Sequence, residues 1–476
     1  MLDYFKHSTI NIIKLYSSRK KDYLLLICVP MAYLVFIIIN FDLKPIIYPD
    51  SLGYIEFNPV RTLGYPLLIQ LMGLNSIIQA QIIIFTIALS FLGFEIYKIT
   101  NKLYETIILM CLICITPELI NTHLSLLTES FFLSLLIITI AALINVIHKF
   151  NFSYLLIASF SVGLTSIIRP IGYGIVPVIV LFVLLNIEAR KSILISLICI
   201  LLPSLLIILS ERTIANITFK DNIDSLTPRH LFAKSSMLKG AQNSISQTPD
   251  ELTGRLVKFQ NEESEKIREF IKEAPTKEVR NILTIYYEQC IQYRCFLNDV
   301  YSFNNLSRSK ENEIILRVAL ERILKEPVGT FELFLIHYKS LWTMYQVRHP
   351  DVVDIFNNYI ENNKTLPLDK AIRQNIPEKF SPFHNGKYIQ WFVILIGWST
   401  FLIFVIYLTY GLRRIKTPPL LTVAGITAFL IHIEFFFTAF FGLGISRYSI
   451  LFFPIMIISI YFMYRYLLKS YLIQKT

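Results

Sequence analysis

The sequence predicts an all-α, polytopic helical membrane protein with about ten transmembrane helices and a mainly helical external domain. Three observations carry this. Apolar runs of about 17–25 residues recur, the length a helix needs to cross a hydrocarbon core. The chain is 54% hydrophobic and 17% charged, where soluble domains carry about 25% charge. Its charged clusters also alternate with the apolar runs in a regular way.

The runs place spans at 23–41, 76–97, 105–120, 124–147, 152–168, 171–187, 192–210, 388–410, 418–441 and 446–467. The stretch before Tyr23 is too long and polar for a signal-peptide n-region. The first run ends without a small-residue cleavage site, so it is expected to be retained. With ten spans, six basic clusters fall on one face: Lys14 with Arg19, Lys20 and Lys21; Lys98 with Lys102; His148 with Lys149; Arg190 with Lys191; Arg413 with Arg414 and Lys416; Lys469 with Lys475. The positive-inside rule makes that face cytoplasmic, together with both termini. Much of the formal charge of +11 is thereby assigned to topology. No basic stripe interleaved with aromatics is present, so a nucleic-acid partner is not expected, whereas contact with membrane lipids is.

Three regions follow: an N-terminal transmembrane module (1–210), a periplasmic or luminal helical domain (211–387) and a C-terminal transmembrane module (388–476). In the middle region, "TPDE" at 248–251 reads as a capping box with proline at the first helical position. A helical run ends at Pro327. Phe331, Phe334, Leu335, Tyr338, Leu341, Trp342 and Tyr345 share one helical face. That spacing fits an amphipathic helix near 331–346 on the outer membrane surface, and equally a core helix of the external domain.

Of six cysteines, Cys28, Cys111, Cys114 and Cys199 lie in apolar segments and are expected to pack. Cys290 and Cys295 lie in the external region, where a disulfide is an open alternative. No zinc-type ligand spacing occurs, so no metal or other cofactor is identified, and any divalent-metal requirement is left open.

Ionisable groups at the mouths of spans are costly and are therefore functional candidates. Asp50, Glu56 and Arg61 lie in the first outer loop, 42–75. Glu129 lies in the outer turns of the fourth span, and Arg169 ends the fifth. Arg447 opens the last span, and His432 and Glu434 lie toward the outer end of the ninth. Topology gathers them at one membrane face. Carboxylates beside guanidinium groups suit attack of a hydroxyl or amine on a carbon whose leaving group is a phosphate. The carboxylate takes the proton, and the arginine forks stabilise the departing charge. His432 and Glu434 are two residues apart and cannot share a face, which argues against a joint metal site. Tyr48, Tyr54 and Tyr65 fit an interfacial aromatic belt.

The segment "YPDSLGY…NPVRTLGYPLL" at 48–68, with "LLTES", "IIRPIG" and "GISRYSILFFP", resembles C-type (GT-C) integral membrane glycosyltransferases. The nearest likeness is to bacterial relatives of protein O-mannosyltransferases and lipid A aminoarabinose transferases. The resemblance implies a polyprenyl-phosphate-linked sugar donor, a glycan, lipid or protein acceptor at the periplasmic face, inversion at the anomeric carbon, and a bacterial inner membrane setting. It implies Asp50 as the catalytic base, and Arg61, Tyr54, Glu129, Arg169 and Arg447 as residues that bind substrate or its phosphate. Two positions depart from the pattern. Leu63 stands where the family places a proline, and Ser51 follows Asp50 where protein mannosyltransferases carry a second acid.

Two other functions fit a polytopic chain with a large external loop. An envelope polysaccharide polymerase or ligase, using a lipid-pyrophosphate donor, would place essential groups in that loop, such as His230, His337 or His349. A lipid-linked sugar flippase or transporter would show inverted repeats and interrupted helices around a midplane site. Neither is visible in the sequence.

Overall fold

The computed structural model describes residues 2–475 except 117, 187–191, 221–225, 239–250, 292–307, 344–349, 363–386, 414, 416, 443–447 and 450. Among these the chain is almost entirely helical. No strand forms, and one isolated bridge pairs Ile46 with Ser125. The helices are α1 (Leu2–Asn40), α2 (Pro49–Ile55), α3 (Gly64–Met72), α4 (Leu74–Thr100), α5 (Leu103–Cys114), α6 (Leu119–Leu124), α7 (Glu129–His148) and α8 (Phe152–Ile168). After a 3-10 turn at Pro170–Gly174 come α9 (Ile175–Leu185), α10 (Ile193–Phe219), α11 (Leu226–Ser236), α12 (Glu251–Lys272), α13 (Lys277–Cys290), α14 (Arg308–Lys325), α15 (Pro327–Thr343), α16 (Pro350–Glu361), α17 (Lys387–Leu412), α18 (Pro419–Phe441) and α19 (Phe453–Lys475).

Six of the described helices contain segments long and apolar enough to cross a membrane: Lys20–Asn40, Leu74–Thr100, Glu129–His148, Ile193–Phe219, Val393–Leu412 and Pro419–Phe441. Leu103–Cys114, Phe152–Ile168 and Pro170–Leu185 are apolar but shorter. Where boundaries differ from the sequence reading, the chemistry explains it. The third run ends at Cys114 instead of residue 120, shortly before Pro117, since residues preceding a proline avoid helical backbone. The fourth begins at Glu129 instead of 124 because Leu126 donates its N–H to the Ile46 carbonyl and so leaves the helix. Glu129 thereby becomes the first residue of α7, where the helix dipole favours a carboxylate.

The main core lies where α7, buried around most of its circumference, packs against α4 and α8. Helix α10 runs along α8, and α18 along α17 and α19. Two sets of polar contacts mark the two ends of the bundle. At one end Tyr97 bonds Asp22, Asn145 bonds Glu95, and Arg465 and Tyr461 bond Glu105. At the other, the loop after α1 meets the chain between α6 and α7, and the ends of α8 and α10.

Helices α11, α12, α13, α15 and α16 contribute to a second cluster around Ile267, Leu283, Tyr287, Val352 and Phe356, while α14 packs with α11 in a third around Ile315 and Phe232. Helix α14 ends at Lys325, as the proline predicts. The expected face of α15 divides. Phe334, Leu341 and Trp342 are buried in the membrane core, whereas Phe331 and Leu335 are exposed. His337 is fully buried, its Nε2 2.8 Å from Glu288 Oε2. Cys28, expected to pack, is exposed, as is Cys111, while Cys114 is buried and Cys290 is a free thiol. Thr248–Asp250, Cys295, Tyr345, His349, Arg190, Lys191, Arg414 and Lys416 lie outside the described residues.

Candidate functional site

The loop after α1 is fixed at three places. First, Ile46 pairs with the strand-like segment at Leu124–Leu126 through N–H···O bonds of 2.9 and 3.0 Å. Second, Pro49 opens α2 with the fixed φ that a first helical position wants, and the Tyr48 N–H donates to Ser51 Oγ at 2.9 Å. Asp50 and Tyr54 are four residues apart and so share a face of this helix. Gly53 leaves room for Arg61, whose Nε would lie 3.2 Å from a Cβ placed there. Arg61 then reaches Asp50 Oδ1 at 2.8 Å and lies 4.8 Å from the centre of the Tyr54 ring.

The third anchor is the "TLG" at 62–64. Thr62 Oγ1 donates to the Ile168 carbonyl at 3.0 Å, and the Leu63 N–H donates to Glu211 Oε1 at 3.0 Å. At Gly64 a Cβ would come within 2.6 Å of the Ile167 carbonyl oxygen, so only glycine allows this approach. Leu63 stands where the resembled pattern has a proline, and its backbone here makes a bond that a proline could not. Its N–H serves a buried carboxylate, and a proline has no N–H to give.

This docking brings the loop against the end of α8, where Arg169 follows. Arg169 Nη1 lies 3.1 Å from Glu129 Oε1, and its guanidinium packs over Tyr448 at 4.7 Å and Phe132 at 5.8 Å. Tyr54 joins the two ion pairs. It is 8% exposed, its hydroxyl accepts from Arg61 Nη1 at 3.5 Å, and it lies within electrostatic range of Glu129 and Arg169. Burial raises its phenol above the usual tyrosine range, with the two arginines opposing and Glu129 adding to the effect. Tyr65 supports it edge-on at 5.2 Å and is itself held by Gln81, which donates to the His123 and Ser125 carbonyls. The site therefore grades inward. Asp50 and Arg61 keep 27% and 20% of their side chains exposed, while Glu129 and Arg169 keep 5% and 13%.

Five of the six sequence-derived site residues, Asp50, Tyr54, Arg61, Glu129 and Arg169, thus converge from separate parts of the chain. Arg447 lies outside the described residues, although its neighbour Tyr448 reaches the site. Glu56 is exposed, as a solvated loop residue would be. His432 points away, toward Tyr338 at 2.6 Å and Thr400 at 3.1 Å. Glu434 takes the opposite side of α18. Its Oε1 would lie 2.9 Å from a Cβ on Gly174, it is in electrostatic range of Arg169, and it has no hydrogen-bond partner among the described residues. Sequence reasoning names Glu434 with His432 among the ionisable candidates toward the outer end of the ninth span, and the structure separates the two.

Two guanidinium groups, each held by a carboxylate and flanked by aromatic rings, form a site suited to a tetrahedral oxyanion. Among the described residues no group of three or more His, Cys, Asp and Glu side chains is placed to hold a metal ion. Comparison of the chain with protein-family models, with curated proteins and with solved structures finds no match.

Proposed function

We propose that this chain is an integral membrane glycosyltransferase of the C type, moving a sugar from a polyprenyl-phosphate donor to a glycan, lipid or protein acceptor. In this reading ten helices cross a bacterial inner membrane, both termini are cytoplasmic, and the site faces the periplasm. The observation that carries it is the meeting of two carboxylate–guanidinium pairs at Tyr54, beside the apolar bundle that a lipid-borne substrate would enter.

The pairing suggests how the reaction is armed. Without substrate, Arg61 holds Asp50. A donor phosphate offers Arg61 and Arg169 a more highly charged partner, and the Asp50 carboxylate is released next to the sugar. The acceptor oxygen or nitrogen attacks the anomeric carbon from the face opposite the phosphate. Asp50 takes its proton, the bond from the anomeric carbon to the phosphate oxygen breaks, and the lipid phosphate leaves on the arginines. Glu129 keeps Arg169 oriented while it does so. Membranes containing Asp50→Asn at matched expression are expected to lose transfer from labelled polyprenyl-phosphate sugars by about 10²–10⁴-fold. Near-normal turnover would sink the assignment. The polymerase or ligase alternative has less support, because His337, one of the external-domain histidines it would use, is fully buried against Glu288.

A further inference from the structure

The external domain carries an apolar ridge that packing does not use. Leu320, Leu324, Val328, Phe331 and Leu335 are 43%, 77%, 72%, 58% and 45% exposed. Their spacing of four, four, three and four keeps side chains on one helical face, and it runs through the junction of α14 and α15. Hydrogen bonds cross that junction, from the Glu326 N–H to the Arg322 carbonyl and from the Thr330 N–H to the Glu326 carbonyl. Five large apolar side chains in a row exceed the scattered exposure normal for a water-facing surface.

The other faces of the same helices fix the level of the ridge. Ile315, Val318 and Ala319 of α14 pack with Leu231 and Phe232 of α11, and Phe440 at the end of α18 packs against that cluster. Helix α15 packs against α17 and α18, with Trp342 seated on Gly397. Where α15 meets α17, that helix turns Leu395, Trp398 and Leu402 outward, 64%, 69% and 59% exposed. The ridge therefore continues the lipid-facing surface of a membrane-crossing helix at the depth where a neighbouring span ends. Exposed Lys325 and Lys339 border it, with stems long enough to reach the headgroups.

We propose that α14 and α15 dock this ridge into the outer boundary of the bilayer, so that the external domain rests on lipid and is not held above the membrane by protein contacts alone. The occupant is phospholipid. The inference is independent of the glycosyltransferase reading.

The experiment places p-benzoylphenylalanine singly at 324, 328 or 331 in the full chain, reconstituted into vesicles of phosphatidylethanolamine and phosphatidylglycerol that contain a labelled phospholipid. Irradiation is expected to give lipid adducts several-fold above those at Glu321 and Glu332, exposed polar positions on the same two helices. All three positions are exposed, so the core is untouched, and any one that expresses gives the reading. Adducts to a second copy of the chain, or lipid yields at all tested positions no higher than at Glu321, overturn it.

Discussion

Replacing Leu63 by proline tests how the loop is held. Leu63 has φ −73°, within the range a proline ring fixes, so the backbone itself is compatible. What the substitution removes is the N–H donated to Glu211 Oε1 at 3.0 Å, and the leucine side chain, which is 1% exposed. A hydrogen bond to a charged group contributes about 1.5–3 kcal/mol, and leaving a buried carboxylate unsatisfied is costly in the same range. Losing the leucine contacts adds roughly 1–3 kcal/mol of its own. A double-mutant cycle with Glu211→Ala separates the two, because the leucine loss appears in both arms and the hydrogen bond in only one. The coupling between Leu63→Pro and Glu211→Ala is expected to be about 1.5–3 kcal/mol, measured by reversible unfolding in mixed micelles. If the two effects simply add, the bond from Leu63 to Glu211 does not hold the loop, and the account of why leucine stands here fails.

Three further outcomes follow. Gly64→Ala pushes a methyl group against the Ile167 carbonyl, now 2.6 Å from the Cβ position. The resulting displacement of the 61–64 segment is expected to lower transfer by about 10²-fold while leaving helix content unchanged in circular dichroism; full activity would refute the close-approach argument. Glu434→Gln replaces a buried carboxylate that lacks a hydrogen-bond partner among the described residues, so thermal stability in detergent is expected to rise by about 1–3 kcal/mol as transfer falls; lowered stability would instead mark Glu434 as a structural partner. Lys234 of α11 donates to the Ala439 and Gly442 carbonyls at the end of α18. Burial pushes its ammonium down to about 8 against the pull of Glu288, from an ordinary 10.5. Between those values the unfolded chain holds a proton the folded one has lost, so this group's contribution to stability rises with pH, by up to about 1.4 kcal/mol per unit. Melting curves from pH 7 to 10 are expected to show that slope in the parent and not in Lys234→Met.

The parts of the fold that the sequence revealed are those set by local chemistry. Apolar runs gave helices at nearly the right places, and α8 coincides with its expected bounds. The boundaries that moved did so through long-range bonds: α7 starts late because Leu126 pairs with Ile46 across the first loop. Residues at span mouths were legible because a charge there needs a reason, and that rule alone gathered Asp50, Arg61, Glu129 and Arg169.

Which groups pair within the site was not legible, and the reason is separation along the chain. Asp50 and Arg61 are 11 residues apart and meet on one short helix and its following turn. Leu63 and Glu211 are 148 apart. A backbone N–H leaves no trace in a sequence until its partner is known, so Leu63 could be read only as a missing proline. Tyr54 carries the same lesson. As a residue in a loop it fits an aromatic belt, whose members face the interface. Its 8% exposure, its contact with Arg61 and its electrostatic reach to Glu129 and Arg169 give it the opposite role, a buried phenol set between the outer pair and the inner pair. Removing its hydroxyl with Tyr54→Phe would therefore disturb Arg61 and Arg169 together, whereas a belt tyrosine would tolerate the change.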